Sequence, residues 1–221
     1  MVEKEILSRG AEAVIYRENG EIIKERVKKS YRAPELDEKL LKERIKEEER
    51  LLKRALNAGV KVPKVLGVEG REIRMEYIDG ERLRKTFEDR EDLWKKVGKD
   101  VGRLHAQNII HGDITTSNIL LKKSSGDIEK SKEKNRQQQQ QQVNQDVDVY
   151  FIDFGLSFYS ERIEDKATDL RLLKQVLEAT HNKVSDESFK EIFKGYRDIM
   201  GEEAEEVLQR LEVLEKRTRY N

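Results

Sequence analysis

Three polar residues in the middle of the chain have the types and the spacing that phosphoryl transfer requires. Asp113 lies in the string HGDITTSN, Asn118 follows five residues later, and Asp153 begins the triplet DFG. A carboxylate at Asp113 would accept the proton of an attacking hydroxyl. Amide and carboxylate oxygens, as in Asn118 and Asp153, are the ligands that Mg²⁺ prefers. The set therefore predicts a phosphotransferase that uses ATP and Mg²⁺, with Asp113 as the catalytic residue and Asn118 and Asp153 as metal ligands.

A lysine near the N-terminus completes the predicted phosphate site. Lys24 lies in the string EIIKERV, where a strand lysine would reach the α- and β-phosphates of ATP. A glutamate on the following helix would hold this lysine in place. The candidates are Glu47, Glu48 and Glu49, and we favour Glu48.

Two further segments are predicted to bind the nucleotide. In the string RGAEA only Gly10 offers the backbone freedom for a close approach to phosphate, and a plain hairpin turn stays open as the alternative. The string MEYIDG joins strands to helices, and we predict that the carbonyl of Glu76 and the amide of Ile78 pair with the adenine edge. The apolar walls of this pocket are predicted to be Ile22, Met75 and Ile152.

The elements that must position these residues begin with a sheet and a long helix. EILSRG, AEAVIYRE and GEIIKERV are predicted strands, and Asn19-Gly20 predicts a hairpin turn because both residues tolerate positive φ. Residues 35–58 carry apolar side chains at helical spacing and end before Gly59, a typical C-terminal residue. VKVPKVLGVEG and REIRMEYIDG predict two more strands, which makes five strands and one long helix.

The second part of the chain is predicted to be mainly helical. DLWKKVGKDVGRLHAQN is amphipathic, and the region from about 165 to 216 is also predicted to be helical. The strands ILLKK and VYFID flank residues 124–146, a polar segment with six consecutive glutamines. Because such a composition buries too little apolar surface to offset its ordering entropy, we predict a low-complexity insertion in a hairpin.

The fold class predicted from these elements is α+β, a bilobal protein-kinase-like fold. The N-lobe is an antiparallel sheet plus one long helix, and the C-lobe is reduced and mainly helical. We predict a single domain over 1–221, with the N-lobe at 1–76, a hinge at 77–82 and the C-lobe at 83–221.

Composition excludes several classes of function. The chain has no cysteine, which rules out disulfides, thiolate catalysis and zinc–cysteine sites. Lys plus Arg equals Asp plus Glu at 45 each, so overall charge predicts neither a nucleic-acid nor a membrane partner. There is no apolar run of membrane-spanning length and no signal-peptide pattern at the N-terminus, and we therefore predict a cytoplasmic protein.

The three histidines are predicted to be structural. His111 would brace the loop that carries Asp113, and His105 and His181 would pack within the helical lobe. Three histidines leave little for a histidine-based metal site.

The order of the motifs resembles that of a protein kinase. More narrowly, it resembles the KEOPS (EKC) complex kinase subunit family, which comprises small PRPK-like atypical Ser/Thr protein kinases. The strings GAEA, HGDITTSN, IDFGLSF and EDKATDL carry the resemblance, which covers nearly the whole chain apart from residues 124–146. It implies kinase or ATPase activity with ATP and Mg²⁺, and that Asp169 steadies the catalytic loop. RIO kinases usually lack DFG, so Asp153-Phe154-Gly155 argues against that neighbouring class.

The same resemblance implies partners. They are the KEOPS catalytic tRNA threonylcarbamoyltransferase subunit and a small regulatory subunit, in a complex that supports threonylcarbamoyladenosine modification of tRNA. The basic tail from Lys216 to Arg219 resembles the basic C-terminus of the family, and would contact tRNA or the ATP site of a partner.

The chain also departs from ordinary protein kinases. Gly112 stands in place of the HRD arginine, Thr115 stands where many such enzymes carry a lysine, and residues 156–168 leave no room for a long activation segment. These departures predict poor activity on free peptides and favour ATP hydrolysis or phosphorylation of a bound partner. Two alternatives stay open: a small-molecule kinase of the aminoglycoside or choline type, and a nucleotide-binding pseudo-kinase scaffold.

Overall fold

The computed structural model describes residues 4–85, 90–123, 147–180 and 185–218. The first part of the chain forms a five-stranded antiparallel sheet in the order β1-β2-β3-β5-β4, with a long helix, α1, against β4 and β5. The elements are β1 Glu5–Arg9, β2 Ala13–Glu18, β3 Glu21–Arg26, α1 Pro34–Asn57, β4 Val65–Glu69 and β5 Glu72–Glu76. Every one of these six elements lies on a segment that the sequence predicted.

The turn between β2 and β3 sets the register of the central strand. Asn19 and Gly20 both have positive φ, at 52° and 78°, as the predicted hairpin turn requires. The resulting register places Lys24 opposite Ile15 on β2 and opposite Ile73 on β5. Lys24 therefore lies on a strand that is paired on both sides.

Helix α1 has clear start and stop signals. Pro34 opens it, and acidic residues in its first turn complement the helix dipole. Gly59, with a φ of 83°, follows its end. Its inward face is apolar apart from two acidic side chains, and it buries Asp37, Leu41, Ile45, Glu48, Leu51, Leu52 and Ala55.

The second part of the chain is mainly helical and includes two small sheets. Strands β6 and β9 flank β8, and β7 pairs with β10. The elements are β6 Glu81–Arg82, α2 Glu91–Ala106, β7 Ile109–Ile110, β8 Ile119–Lys123, β9 Val147–Phe151, β10 Phe158–Tyr159, α3 Ile163–Thr180, α4 Ser185–Met200 and α5 Glu203–Thr218. The α+β class, with an antiparallel sheet and long helix followed by a mainly helical part, is confirmed.

The two strands predicted to flank residues 124–146 pair with each other. β8 and β9 pair antiparallel from Ile119 opposite Phe151 to Lys123 opposite Val147. The predicted insertion at 124–146 lies outside the described residues. Strands β6, β7 and β10 were not predicted, because two residues are too few to show a periodicity. Residues 81–82 of the predicted hinge belong to β6, which pairs with β8.

Helices α2 and α4 approach each other closely enough for backbone contact. A Cβ added at Gly98 would lie 1.8 Å from the carbonyl oxygen of Ile192, and one at Gly195 would lie 2.0 Å from that of Lys95. Only glycine fits at these two positions unless the helices separate. Among the described helices, none is both long enough and apolar enough to cross a membrane.

Candidate active site

The loop between β7 and β8 brings Asp113 and Asn118 together. The side-chain nitrogen of Asn118 donates to the backbone oxygen of Asp113 and to its Oδ2, both at 2.9 Å. Gly112 opens the loop with a φ of 77°, and a Cβ there would lie 2.4 Å from the carbonyl oxygen of Leu156. Because the side-chain nitrogen of Asn118 is hydrogen-bonded to Asp113, its side-chain oxygen is the atom that can ligate a cation.

The ends of β8 and β9 bring Asn118 next to the segment that carries Asp153. The backbone nitrogen of Ile152 donates to the carbonyl oxygen of Asn118 at 2.9 Å. Asp153 has a φ of 64°, an uncommon left-handed conformation for a residue other than glycine, and it caps a short 3-10 turn over Phe154–Leu156. Its side chain is 42 % exposed, so the carboxylate reaches solvent as a ligand site requires.

Lys24 joins the sheet to this turn. Its ammonium donates to Glu48 Oε1 at 2.6 Å and to Asp153 Oδ1 at 2.7 Å. Lys24 is 5 % exposed and Glu48 is 2 % exposed. The structure thus pairs Lys24 with the glutamate favoured from the sequence, whereas Glu47 pairs with Arg50 and Glu49 with Lys53 on the surface of α1.

The ionisation of Asp153 depends on this contact. Burial alone would raise the pKa of the Asp153 carboxyl, but the charge and hydrogen bond of Lys24 outweigh it, and the pKa lies below its usual value. Gly155 lies beside this contact, and a Cβ there would lie 2.8 Å from the Lys24 nitrogen, so a larger residue would displace the lysine side chain. Asp153 is therefore held as an anion by Lys24.

His111 braces the loop, as predicted. Its Nε2 lies 3.2 Å from the carbonyl oxygen of Ile152, and its Nδ1 accepts from the backbone nitrogen of Asp113 at 3.3 Å. Burial lowers its pKa, which agrees with a neutral ring that donates once and accepts once. The hydroxyl of Ser157 donates to the His111 carbonyl at 2.8 Å and ties the DFG turn to the same loop.

Asp169 on α3 holds the loop that carries Asp113 through hydrogen bonds to its backbone. Its Oδ2 accepts from the backbone nitrogen of His111 at 2.7 Å, and its Oδ1 accepts from that of Gly112 at 2.9 Å. His105 Nε2 lies 3.3 Å from the same Oδ2, and His105 Nδ1 lies 2.9 Å from the hydroxyl of Tyr196. The contact of Asp169 with the loop agrees with the role that the resemblance implied.

Sequence reasoning missed Arg26 and Tyr196, and it missed the role of His105. It placed His105 in the helical lobe, where it is fully buried, but did not predict that it links Asp169 to Tyr196. It also did not predict that Arg26 shares the carboxylate of Glu48 with Lys24. The pattern that could have found Arg26 is its spacing of two residues from Lys24, which puts both side chains on one face of β3. His181 lies outside the described residues.

The predicted glycine loop connects β1 to β2, and phosphate binding at Gly10 stays a prediction. Gly10 has a φ outside the left-handed region, and a Cβ there would meet only Ala13 O, at an ordinary 3.6 Å. The conformation of this turn therefore does not require glycine. The loop is held by Glu12, which pairs with Lys29 at 2.9 Å and with Arg44 of α1 at 2.7 Å.

The residues predicted to form the adenine pocket lie on three segments of the chain. Glu76 ends β5, and Ile78, which is buried, follows it in the linker to β6. Ile22 on β3 pairs with Met75 on β5, and Ile152 is half-buried beyond the end of β9. Adenine binding by these residues stays a prediction.

Comparison with known proteins gives consistent relatives. Residues 15–167 match the RIO domain family. The KEOPS complex subunit Bud32 of Pyrococcus abyssi is 40 % identical over 97 % of this chain and 96 % of its own length. A probable bifunctional tRNA threonylcarbamoyladenosine biosynthesis protein of Methanothermobacter thermautotrophicus is 38 % identical over 98 % of this chain, but this chain spans only 36 % of that protein.

A solved structure supports the fold. The Rio2 kinase of Chaetomium thermophilum, in an ADP/Mg²⁺-phosphoaspartate complex, has a TM-score of 0.61 at 15 % identity, over 96 % of this chain and 71 % of that one. The argument that Asp153-Phe154-Gly155 speaks against the RIO class was wrong, since the RIO domain match includes the triplet. The chain belongs to the RIO domain family and, within it, to the family of the KEOPS complex subunit Bud32.

Proposed function

We propose that the chain is an ATP-dependent phosphotransferase, a Ser/Thr protein kinase, an ATPase or both, that acts in the cytoplasm as the kinase subunit of a KEOPS complex. The observation that carries the proposal is the ammonium of Lys24, held between Glu48 and Asp153 at 2.6 and 2.7 Å. A lysine fixed in this way, close to the loop of Asp113 and Asn118, is the arrangement that phosphoryl transfer from ATP uses.

Each residue has a role that its contacts support. Asp113 accepts the proton of the attacking hydroxyl, and its carboxylate is oriented by the Asn118 nitrogen at 2.9 Å. Lys24 uses two of its three donors on Glu48 and Asp153, which leaves one for a phosphate oxygen. Asp169 keeps the loop in place through two backbone amides.

The residues present fit Mg²⁺ together with a nucleotide. Among the described residues, no group of three His, Cys, Asp or Glu side chains could hold a metal by itself. Asn118 and Asp153 offer two oxygen ligands, which is the usual protein share when phosphate oxygens and water complete the shell. Mg²⁺ supplies neutralisation of phosphate charge when it is bound.

The relatives support the biological setting. The archaeal Bud32 that matches over nearly its full length is named as a KEOPS complex subunit. In the bifunctional relatives, a region like this chain is part of a longer protein of tRNA threonylcarbamoyladenosine biosynthesis. Such a fusion supports a direct partnership with the catalytic tRNA threonylcarbamoyltransferase subunit, and we add the small regulatory subunit as a second partner. We propose that tRNA reaches the chain through the complex and through the basic end of α5, which carries Lys216 and Arg217.

Release of phosphate from γ-labelled ATP with Mg²⁺ tests the proposal. The assay compares the wild-type chain with Asp113→Asn and Asp153→Asn, alone and with the two KEOPS subunits. We expect each substitution to lower the rate at least about 100-fold, because a proton acceptor or a metal ligand is lost. The matched control is Asp198→Asn, which removes an exposed aspartate that pairs with Lys95 and Lys99 on α2.

Two outcomes would contradict the proposal. Full activity of Asp113→Asn and Asp153→Asn would remove both residues from the mechanism. Nucleotide binding without turnover in every complex would favour the pseudo-kinase scaffold instead. A screen of aminoglycosides and choline as acceptors separates the small-molecule alternative.

A further inference from the structure

Glu48 is shared by two buried cations. One carboxylate oxygen accepts from Lys24, and the other accepts from the guanidinium of Arg26. Arg26 and Glu48 are each 2 % exposed. Arg26 follows Lys24 by two residues on β3, so that both side chains leave the same face of the strand.

Arg26 also lies next to the turn that carries Asp153. A Cβ placed on Gly155 would lie 2.8 Å from the Lys24 nitrogen and 3.4 Å from the Arg26 Nη2. Both cations therefore reach the same short stretch of backbone. Arg26 belongs to the phosphate side of the site and not to the outer surface of the sheet.

Stability alone does not explain a buried arginine here. Arg26 shares its carboxylate partner with a lysine, and its Nε is buried with no hydrogen-bond acceptor among the described residues. A buried ion pair of this kind is often no more stable than apolar side chains of similar volume. A functional reason for the positive charge is therefore needed.

The charge balance of the cluster supplies that reason. Lys24 and Arg26 are balanced by Glu48 and Asp153, so the ligand-free cluster is neutral. When Asp153 is taken up by a metal ion, the remaining three side chains carry one net positive charge. Without Arg26, the charges of Lys24 and Glu48 would cancel. Both oxygens of Glu48 would then compete with phosphate for the ammonium of Lys24.

We propose that Arg26 is a positioning residue that holds the second oxygen of Glu48, so that Lys24, Arg26 and Glu48 together present one net positive charge to the phosphates of the nucleotide. The proposal rests on the proposed function, since it assigns Arg26 a part in the same nucleotide site. Arg26 acts through Glu48 and Lys24, and we do not assign it direct contact with substrate.

Nucleotide affinity measured apart from turnover tests the proposal. The Kd values of MgATP and of adenosine are determined by competition with a fluorescent ATP analogue, and thermal unfolding of the ligand-free protein is recorded for each variant. For Arg26→Gln we expect the Kd of MgATP to rise about tenfold or more, while that of adenosine changes less than about twofold, because only phosphates respond to the lost charge. Arg26→Lys keeps the charge and should recover most of the affinity.

A charge-matched double variant separates the electrostatic role from a structural one. In Arg26→Met/Glu48→Gln, Lys24 is the charged side chain that remains when Asp153 ligates a metal ion, so the cluster again has one net positive charge. We expect its Kd for MgATP to lie within about threefold of the wild type, with kcat reduced because Lys24 has lost its ionic partner. If Arg26→Gln does not fold, this double variant decides alone, and a Kd more than about tenfold above wild type overturns the proposal.

Other outcomes are equally decisive. Unchanged MgATP affinity in folded Arg26→Gln, or equal loss of MgATP and adenosine binding, overturns the proposal. A wild-type chain that binds no nucleotide, or a Lys24→Met variant that binds it normally, contradicts the proposed function itself and not Arg26 specifically.

Discussion

Glu48 and Asp169 are both buried carboxylates beside the same site, but they are satisfied in opposite ways. Glu48, on the helix of the N-terminal part, is held by two side-chain cations, Lys24 and Arg26. Asp169, in the helical part, accepts from two backbone amides of the catalytic loop and contacts His105. Side-chain cations can exchange partners when a ligand arrives, whereas backbone amides cannot leave the loop. The difference suggests an adjustable phosphate side and a rigid catalytic loop.

The largest effect is expected when the Asp169 carboxylate, which holds the catalytic loop, is removed. Asp169→Ala leaves the backbone nitrogens of His111 and Gly112 without their acceptor in the interior. We expect the free energy of unfolding to fall by about 3 kcal/mol, at roughly 1.5 kcal/mol for each of the two buried amides left without an acceptor. We expect phosphate release to fall about 1,000-fold, because the loop no longer orients Asp113. Urea unfolding and the ATP assay measure the two effects.

Asp198→Ala on the surface of α4 is the control for this change. Its partners, Lys95 and Lys99, are partly exposed, and we expect no clear change in stability, because exposed ion pairs are screened by solvent. If Asp169→Ala keeps activity within a few-fold of the wild type, the proposed difference between Asp169 and Glu48 is wrong, since the amide contacts would then not position the loop.

A third buried carboxylate, Asp100, extends the comparison, because its pKa is raised and the stability of the protein should therefore depend on pH. Asp100 on α2 has Arg103 as its bonding partner, and burial raises its pKa to about 6. The unfolded value is about 3.9, so between pH 4 and pH 6 the folded state binds a proton that the unfolded state has lost. Stability due to this group therefore decreases as pH rises through that window, by up to about 3 kcal/mol.

Asp100→Asn should remove this pH dependence. We expect the variant to be more stable than the wild type at pH 7 by about 1 to 3 kcal/mol and equal to it near pH 4. Urea unfolding at pH 4, 5, 6 and 7 measures the difference. Asp92→Asn, at an exposed position of the same helix, should show no gain of this size at pH 7, and a less stable Asp100→Asn at pH 7 would contradict the reasoning.

The smallest expected effect lies at the far end of the Asp169 network. Tyr196→Phe removes the hydroxyl that lies 2.9 Å from His105 Nδ1 and keeps the ring in its buried position. We expect a loss of about 1 kcal/mol in unfolding free energy and a change in phosphate release within about threefold. A loss of activity as large as that of Asp169→Ala would show that Tyr196, His105 and Asp169 act as one unit.

Much of the fold and the centre of the site follow from local sequence patterns. The Asn19-Gly20 turn, the spacing of α1 and the strands that flank residues 124–146 each depend on neighbours along the chain. The sequence placed three candidate partners of Lys24 on α1, and Glu48, the favoured one, lies on the buried face of that helix.

The remaining features depend on contacts between distant segments. His105 and Tyr196 are 91 residues apart, and no periodicity in either segment indicates their bond. Spacing along β3 can place Arg26 on the same face as Lys24, but that both side chains bind Glu48 depends on how β3 packs against α1. At Gly10 the sequence left two alternatives open, because a glycine permits an unusual conformation without requiring it.

The glycine contact between α2 and α4 has a consequence for which positions tolerate mutation. An added methyl group at Gly98 or Gly195 would need the helix backbones to separate by more than 1 Å, since it would lie about 2 Å from a carbonyl oxygen where van der Waals contact is about 3.4 Å. Tyr196 follows Gly195 directly, so the displacement would reach the hydrogen bond to His105. Gly98 and Gly195 should therefore tolerate few substitutions, although neither carries a functional group. Side-chain size should be constrained at these two positions as strictly as side-chain charge is at Lys24 and Glu48.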